Sequence, residues 1–219
     1  MSTSDVPDVL PVLALRNTVL FPGVVLPITV GRDTSLRLVK DAFSGTRLIG
    51  VVAQRKAETE NPDTDDLYSY GTVASILKLI KMPDGSRSIV IQGKRRFKIN
   101  EFVETDPYFK AQVEAVNEST DVDHVEIQAR IRSIKELAIQ IVNLSPNLPS
   151  EAAYAIQNIE SPTFLIHFIA SNLQIDVSDK QELLETLPLV ERADLVMRHL
   201  DKELQVLQLS EEIRSRVKT

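Results

Sequence analysis

Between residue 9 and about residue 116, apolar residues come in short runs broken by Gly, Pro or Asp, the pattern of strands joined by turns. Val9–Leu15 (VLPVLAL) is apolar on both faces and reads as a buried strand. Val24–Val30 (VVLPITV) alternates, with Leu26, Ile28 and Val30 on one face. Its Pro27 cannot donate to a ladder, which predicts an edge strand or a bulge. Leu48–Gln54 is another buried-type strand. Thr72–Met82 and Ser88–Gln92 flank Pro83-Asp84-Gly85, a hairpin signal. Arg96–Val103 follows Gly93, and Phe109, Ala111, Val113 and Ala115 share a face of the last strand. One helix is predicted here, with Asp33 as N-cap, Leu36, Val39 and Phe43 as its stripe, and Gly45 as its stop. Residues 55–69 are polar and acidic and read as a surface loop. About seven short strands with turns between them suggest a small barrel or closed sandwich.

Beyond that point the period changes from two to between three and four. Ile127, Ile131, Ile134, Ala138 and Ile141 line one face of a helix over 122–143. Ser145-Pro146-Asn147 breaks it, and Ser150 caps a short helix running through Asn158. Ser161-Pro162 is an N-cap followed by Pro at the first helical position, opening a helix that packs through Leu165, Phe168, Ile169 and Leu173. Ser178 and Gln181 have capping-box spacing for the next helix. The last helix starts near Pro188, and its stripe runs Leu189, Ala193, Val196, Leu200, Leu204 and Leu207, then Leu209, Ile213 and Val217. No Gly, Asn or Pro follows Pro188, so the periodicity still runs when Thr219 arrives. Either the helix frays at a terminus or the chain is part of a longer one, and the missing stop signal favours the second.

Composition sharpens the division. All 7 Gly of the 219 residues lie between Gly23 and Gly93, in the half read as strands. Residues 1–116 carry 15 Lys and Arg against 14 Asp and Glu, whereas 117–219 carry 10 against 17, so the net −6 belongs to the helical half. The boundary is expected in the polar stretch Asn117–Asp123. The expected segments are thus 1–116, 117–187 and, as a long final helix, 188–219.

Candidate chemistry is sparse. There is no Cys, which removes disulfides, thiolate nucleophiles and Cys-based metal sites. His124, His167 and His199 are scattered along the chain. His167 shares helical spacing with Thr163, Ser171 and Gln174, and so is expected on a solvated face. Gly45 and Gly50 have P-loop spacing, but Val51-Val52 stand where Lys and Ser/Thr are required. No Gly-x-Ser-x-Gly elbow occurs. No catalytic, cofactor-binding or metal-binding residues are therefore assigned. No apolar run is long enough to span a membrane, and the first 15 residues lack a secretory or transit pattern, so a cytoplasmic protein is expected.

Two segments have surface chemistry with two readings each. The loop Val19–Pro22 offers Leu20, Phe21 and Pro22 as a hydrophobic contact if exposed, or as a plug for the barrel end if tucked in. Lys94, Arg95, Arg96 and Lys98, interleaved with Phe97, could neutralise and stack on a nucleic-acid strand. Alternatively Phe97 and Ile99 face inward, leaving Lys94, Arg96 and Lys98 as a solvated edge. The acidic net charge favours the second reading.

Three long strings resemble a known family. LPVLALRNTVLFPGVVLPITVGRDTS is similar to the opening of the Lon proteases, ATP-dependent proteases of the AAA+ group. LYSYGTVASILKLIKMPDGSRSIVIQGKRRFKI continues the match through Gly-Thr-Val-Ala, the Pro-Asp-Gly hairpin and a Gly-x-x-Arg step, and the chain from Asp179 resembles the helix that leads toward the Lon ATPase. Leu187-Pro188 departs from many relatives, which carry a polar cap there. The resemblance implies an α+β fold: a PUA-like β pseudo-barrel with one helix, then an α-helical bundle ending in a long helix. It implies a non-catalytic substrate-recognition and assembly module with unfolded or tagged proteins as partners. It further implies that the ATP- and Mg-dependent ring, the Ser-Lys protease domain and a homo-hexameric assembly belong to the full-length protein. The rivals are a nucleic-acid-binding module using the basic run, and a stand-alone adaptor of the same domain type.

Overall fold

The structure, a computed structural model, describes residues 6–119 and 122–218. Thr120 and Asp121, within the expected boundary stretch, and Thr219 lie outside the described residues. The chain forms two units: Met1–Asn117 with Asp176–Glu185, and Glu118–Ile175 with Thr186–Thr219.

Strands of the first unit are β1 (Val9–Leu15), β2 (Val25–Val30), β3 (Leu48–Ala53), β4 (Tyr70–Lys81), β5 (Arg87–Glu104) and β6 (Lys110–Ala115), with α1 (Asp33–Ser44) between β2 and β3. They form one mixed sheet in the order β2-β5-β4-β3-β1-β6. β5 also pairs with β6, which curls the sheet round into a pseudo-barrel and leaves β2 outside the ring as an edge. Pro27 sits on that edge strand, as its missing N–H demands.

Six strands appear where about seven were expected, because Ser88–Gln92 and Arg96–Val103 are parts of one 18-residue strand, β5. Gly93 lets it pass through: its N–H donates to Val24 O and its C=O accepts from Gly23 N, both at 2.9 Å. A Cβ there would lie 2.4 Å from Phe21 O. Next to it, the β4–β5 register slips by one residue between the pairs Ala74↔Gly93 and Thr72↔Arg96, a bulge.

One core cluster gathers Leu13, Leu15, Leu20, Leu38, Val39, Ile49, Ile76, Ile89 and Ile91. A second gathers Leu10, Val12, Val52, Leu67, Val73, Phe97, Ala111 and Val113. Leu67, in the loop read as wholly surface, is buried here and bridges to Gln54.

The second unit holds α2 (His124–Leu144), α3 (Glu151–Gln157), α4 (Pro162–Asn172) and α6 (Leu189–Val217). Asp123 caps α2 by accepting from Val125 N and Glu126 N, and Ser161 caps α4 by accepting from Phe164 N. The α2 stripe is buried as its period requires, and so are Leu189, Ala193, Val196, Leu200 and Leu204 of α6.

Helix α5 (Val177–Glu185) lies in the first unit, although its sequence falls in the segment 117–187 read as helical bundle. It begins one residue before Ser178, so Ser178 is not its N-cap. Gln181 does not serve a capping box either: it is 2% exposed, and its Nε2 donates to Tyr70 O at 2.9 Å and to Glu185 Oε1 at 3.0 Å.

Candidate functional site

The outer face of β2-β5-β4 gathers several exposed apolar residues of the first unit. Register places Val25 opposite Gln92, and Pro27 opposite Val90. On the other side of β5, Lys78 pairs with Val90 and Ile80 with Ser88. The register shift between Ile76 and Lys78 makes Leu77 and Lys78 together oppose Val90, so both face outward and the phase of β4 changes: Leu79 packs on the core and Ile80 is turned out of it. Val25, Leu77, Ile80 and Met82 are 49%, 47%, 41% and 41% exposed. Neighbouring strands lie about 4.8 Å apart, so Pro27, Val90 and Leu77 form one row across the sheet, with Val25 two residues along β2 on the same face. The opposite face of the same strands carries Ile76, Ile89 and Ile91 into the core. Lys78 and Lys81, both exposed, rim the strip with positive charge.

Sequence pattern alone missed this strip, because plain alternation from Ile76 turns Ile80 inward. The bulge that exposes it depends on β5, and no local signal records it.

Leu20 and Phe21 do not form a surface. They are 2% and 0% exposed, so the tucked reading describes them. Thr72 Oγ1 donates to Leu20 O at 2.7 Å, fixing the loop from inside. Pro22 is half-buried.

The basic run does not form a cationic strip either. Lys94 is exposed, Arg95 donates to Asn117 Oδ1, and Lys98 lies 5.8 Å from the centre of the Tyr70 ring. Arg96, expected on a solvated edge, is 1% exposed and donates from Nη1 to Leu184 O at 3.0 Å. The alternation was right in placing Arg96 opposite Phe97. The outer face at this point is covered by α5, an element 80 or more residues downstream.

The three histidines are not brought together. His124 opens α2 exposed, and His199 is half-buried on α6. His167, expected on a solvated face, is 2% exposed. Its Nε2 lies 3.4 Å from Glu118 Oε1, while Arg192 Nη2 donates to Glu118 Oε2 at 2.7 Å. Arg192 is fully buried, so this carboxylate answers a charge inside the second unit. Among the described residues no group of three or more His, Asp or Glu is arranged to hold a metal ion, and no helix is long and apolar enough to cross a membrane.

Residues 9–202 match the family described as the ATP-dependent protease La (LON) substrate-binding domain. Over its whole length the chain is 49% identical to the Lon protease of Flavobacterium johnsoniae and 47% identical to that of Cytophaga hutchinsonii. In both cases it covers 27% of the relative, so the chain spans about a quarter of the length of the curated relatives it matches. The N-terminal domain of the Mycobacterium avium complex Lon protease has the same fold, with a TM-score of 0.73 at 22% identity over 88% of this chain and 98% of that one. The Lon N-terminal domain protein from Xanthomonas campestris follows at 0.62 and 18%, over 87% and 97%. A profile match over most of the chain, full-length similarity to Lon proteases and the shared α+β pseudo-barrel agree: the chain belongs to the Lon substrate-binding domain family.

Proposed function

We propose that this chain is the non-catalytic recognition and assembly module of a cytoplasmic ATP-dependent Lon protease, and that it holds apolar segments of unfolded or tagged proteins on the outer face of β2-β5-β4. The observation that carries this reading is the exposed strip of Val25, Leu77, Ile80 and Met82, set on a rigid sheet. A folded protein hides its apolar segments and an unfolded one shows them, so such a strip discriminates between them by burial alone. The proteolytic and ATP- and Mg-dependent chemistry belongs to the remainder of the full-length protein. A homo-hexamer would place six weak strips on one ring, and effective concentration would turn them into one firm hold.

Titration of a fluorescently labelled unfolded polypeptide against the chain tests this. Burying each apolar side chain contributes about 1.5 kcal/mol or more, so the double variant Leu77→Ser/Ile80→Ser should bind at least about tenfold more weakly. Both positions are exposed, and the circular dichroism spectrum should not change. Equal binding by the variant removes the strip from the account.

A further inference from the structure

A cleft of about 530 Å³ opens between residues 13–18, at the end of β1, and residues 27–32, at the end of β2. β2 is an edge strand, and β1, between β3 and β6, pairs with β6 only over Val9–Pro11, so each leaves backbone outside the ladders here. On β1, Leu15 O accepts from Gln54 N on the β3 side. Alternation therefore turns the N–H and C=O of Ala14 away from β3. On β2, Val24 O accepts from Gly93 N on the β5 side. The backbone groups of Val25, Pro27 and Thr29 then face away from β5, which is also why Pro27 costs the ladder nothing.

Two guanidiniums stand at this cleft. Arg16 follows β1 directly and Arg32 lies two residues after β2. Arg16 Nη2 and Arg32 Nη1 donate to the same carbonyl, Glu60 O, at 3.1 and 3.2 Å. Arg32 Nη2 also donates to Gln54 Oε1 at 2.8 Å and Ala14 O at 3.5 Å. All these acceptors are neutral, and no carboxylate among the described residues pairs with either arginine. The neighbouring Asp33 is exposed and pairs with neither. Burial and then the charge of Arg16 push the Arg32 guanidinium below its ordinary value. Arg16 spends one of its five N–H donors, so the pair has capacity for a further acceptor.

We propose that this cleft takes the free C-terminal end of an extended polypeptide, its carboxylate held by Arg16 and Arg32 and its main chain laid along the open edges of β1 and β2. A planar carboxylate matches the guanidinium fork, and an extended main chain matches a strand edge. The anion also relieves the repulsion between two like charges that share one carbonyl. The proposal rests on the reading of this unit as a polypeptide-binding module and adds what part of the polypeptide it reads.

The test uses one apolar eight-residue peptide, fluorescently labelled at its N-terminus, as the free acid and as the C-terminal amide. The acid should bind the 219-residue chain about tenfold more tightly, the difference of one charge-assisted contact, and added salt should shrink the gap. Arg16→Gln, an exposed position with one hydrogen bond to lose, should remove most of the preference and weaken the acid far more than the amide. Equal affinity of acid and amide overturns the proposal, as does failure of the acid to bind, or an acid preference that persists in both Arg16→Gln and Arg32→Gln. If acid and amide tie while Leu77→Ser/Ile80→Ser still loses unfolded polypeptide, the carboxylate site falls and the apolar strip stands.

Discussion

The β unit and the helical unit are stabilised by different distances along the chain. In α2 the residues that share the buried face are three or four apart, so the period itself says what is inside. In the pseudo-barrel, β1 pairs with β3 on one side and with β6, about a hundred residues away, on the other. What covers a strand there is set by elements the local sequence does not mention. The lesson is that alternation in the β unit assigns residues to faces only until a bulge shifts its phase, and that it does not say which faces are wet. Arg96 and Ile80 are the two cases: the first is covered by α5, and the second is turned out by a bulge.

The two units should also break differently. In the β unit the tightest positions are glycines under neighbouring backbone. A Cβ at Gly71 would lie 2.2 Å from Val51 O and 2.6 Å from Val52 Cγ1, with the Phe97 ring 3.0 Å away. A carbonyl in a ladder cannot withdraw, so Gly71→Val should prevent the pseudo-barrel from forming. Loss of the β-sheet signal in far-ultraviolet circular dichroism would register this, and a spectrum like the wild type's would break the contrast. The helical unit should yield by degrees. Ile134 is fully buried on the α2 stripe, so Ile134→Ala should cost about 3 kcal/mol through lost burial and a residual cavity. Ile134→Leu, which keeps the volume, should cost less than about 1.5 kcal/mol. Urea denaturation of both variants checks the ratio.

These responses track what the sequence made legible. The α2 stripe, the α6 stripe as far as Leu204, the Pro-Asp-Gly hairpin, the edge position of β2 and the β1 limits were readable from local pattern, whereas Leu209, Ile213 and Val217, read on the same α6 stripe, are exposed. Less was readable where burial depends on a distant partner. His167 looked solvated because its helical neighbours Ser171 and Gln174 are polar, yet it is buried beside the Glu118–Arg192 pair. Helix α5 was readable as a helix, but its place in the β unit rests on Gln181 and Leu184 meeting Tyr70 and Arg96. The candidate site lay furthest from view, since Ile80 needs a bulge and the Arg16–Arg32 pair needs two strand ends brought together.

The smallest expected effect probes the acidic character of the helical unit. Glu203 on α6 is partly buried beside Ile141, Leu173 and Leu200, and this loss of solvent raises its carboxyl above the ordinary value, with a hydrogen bond involving the Gln174 backbone pulling the other way. A carboxyl that is harder to ionise when folded works against folding once it is charged. Its cost is absent below the unfolded value, grows as pH rises from the unfolded to the folded value, and is complete above the folded value. Glu203→Gln should therefore raise the melting temperature slightly at pH 7, and the gain should disappear in acid. Glu203 keeps part of its solvent, so the gain should stay below about 1 kcal/mol. The α6 surface beyond it exposes Val206, Leu209 and Ile213 without further burial of charge, so Glu211→Gln and Glu212→Gln, both at exposed positions, should leave the melting temperature unchanged at either pH. A gain of equal size in those variants would mean that overall acidity, rather than one desolvated carboxyl, limits the helical unit.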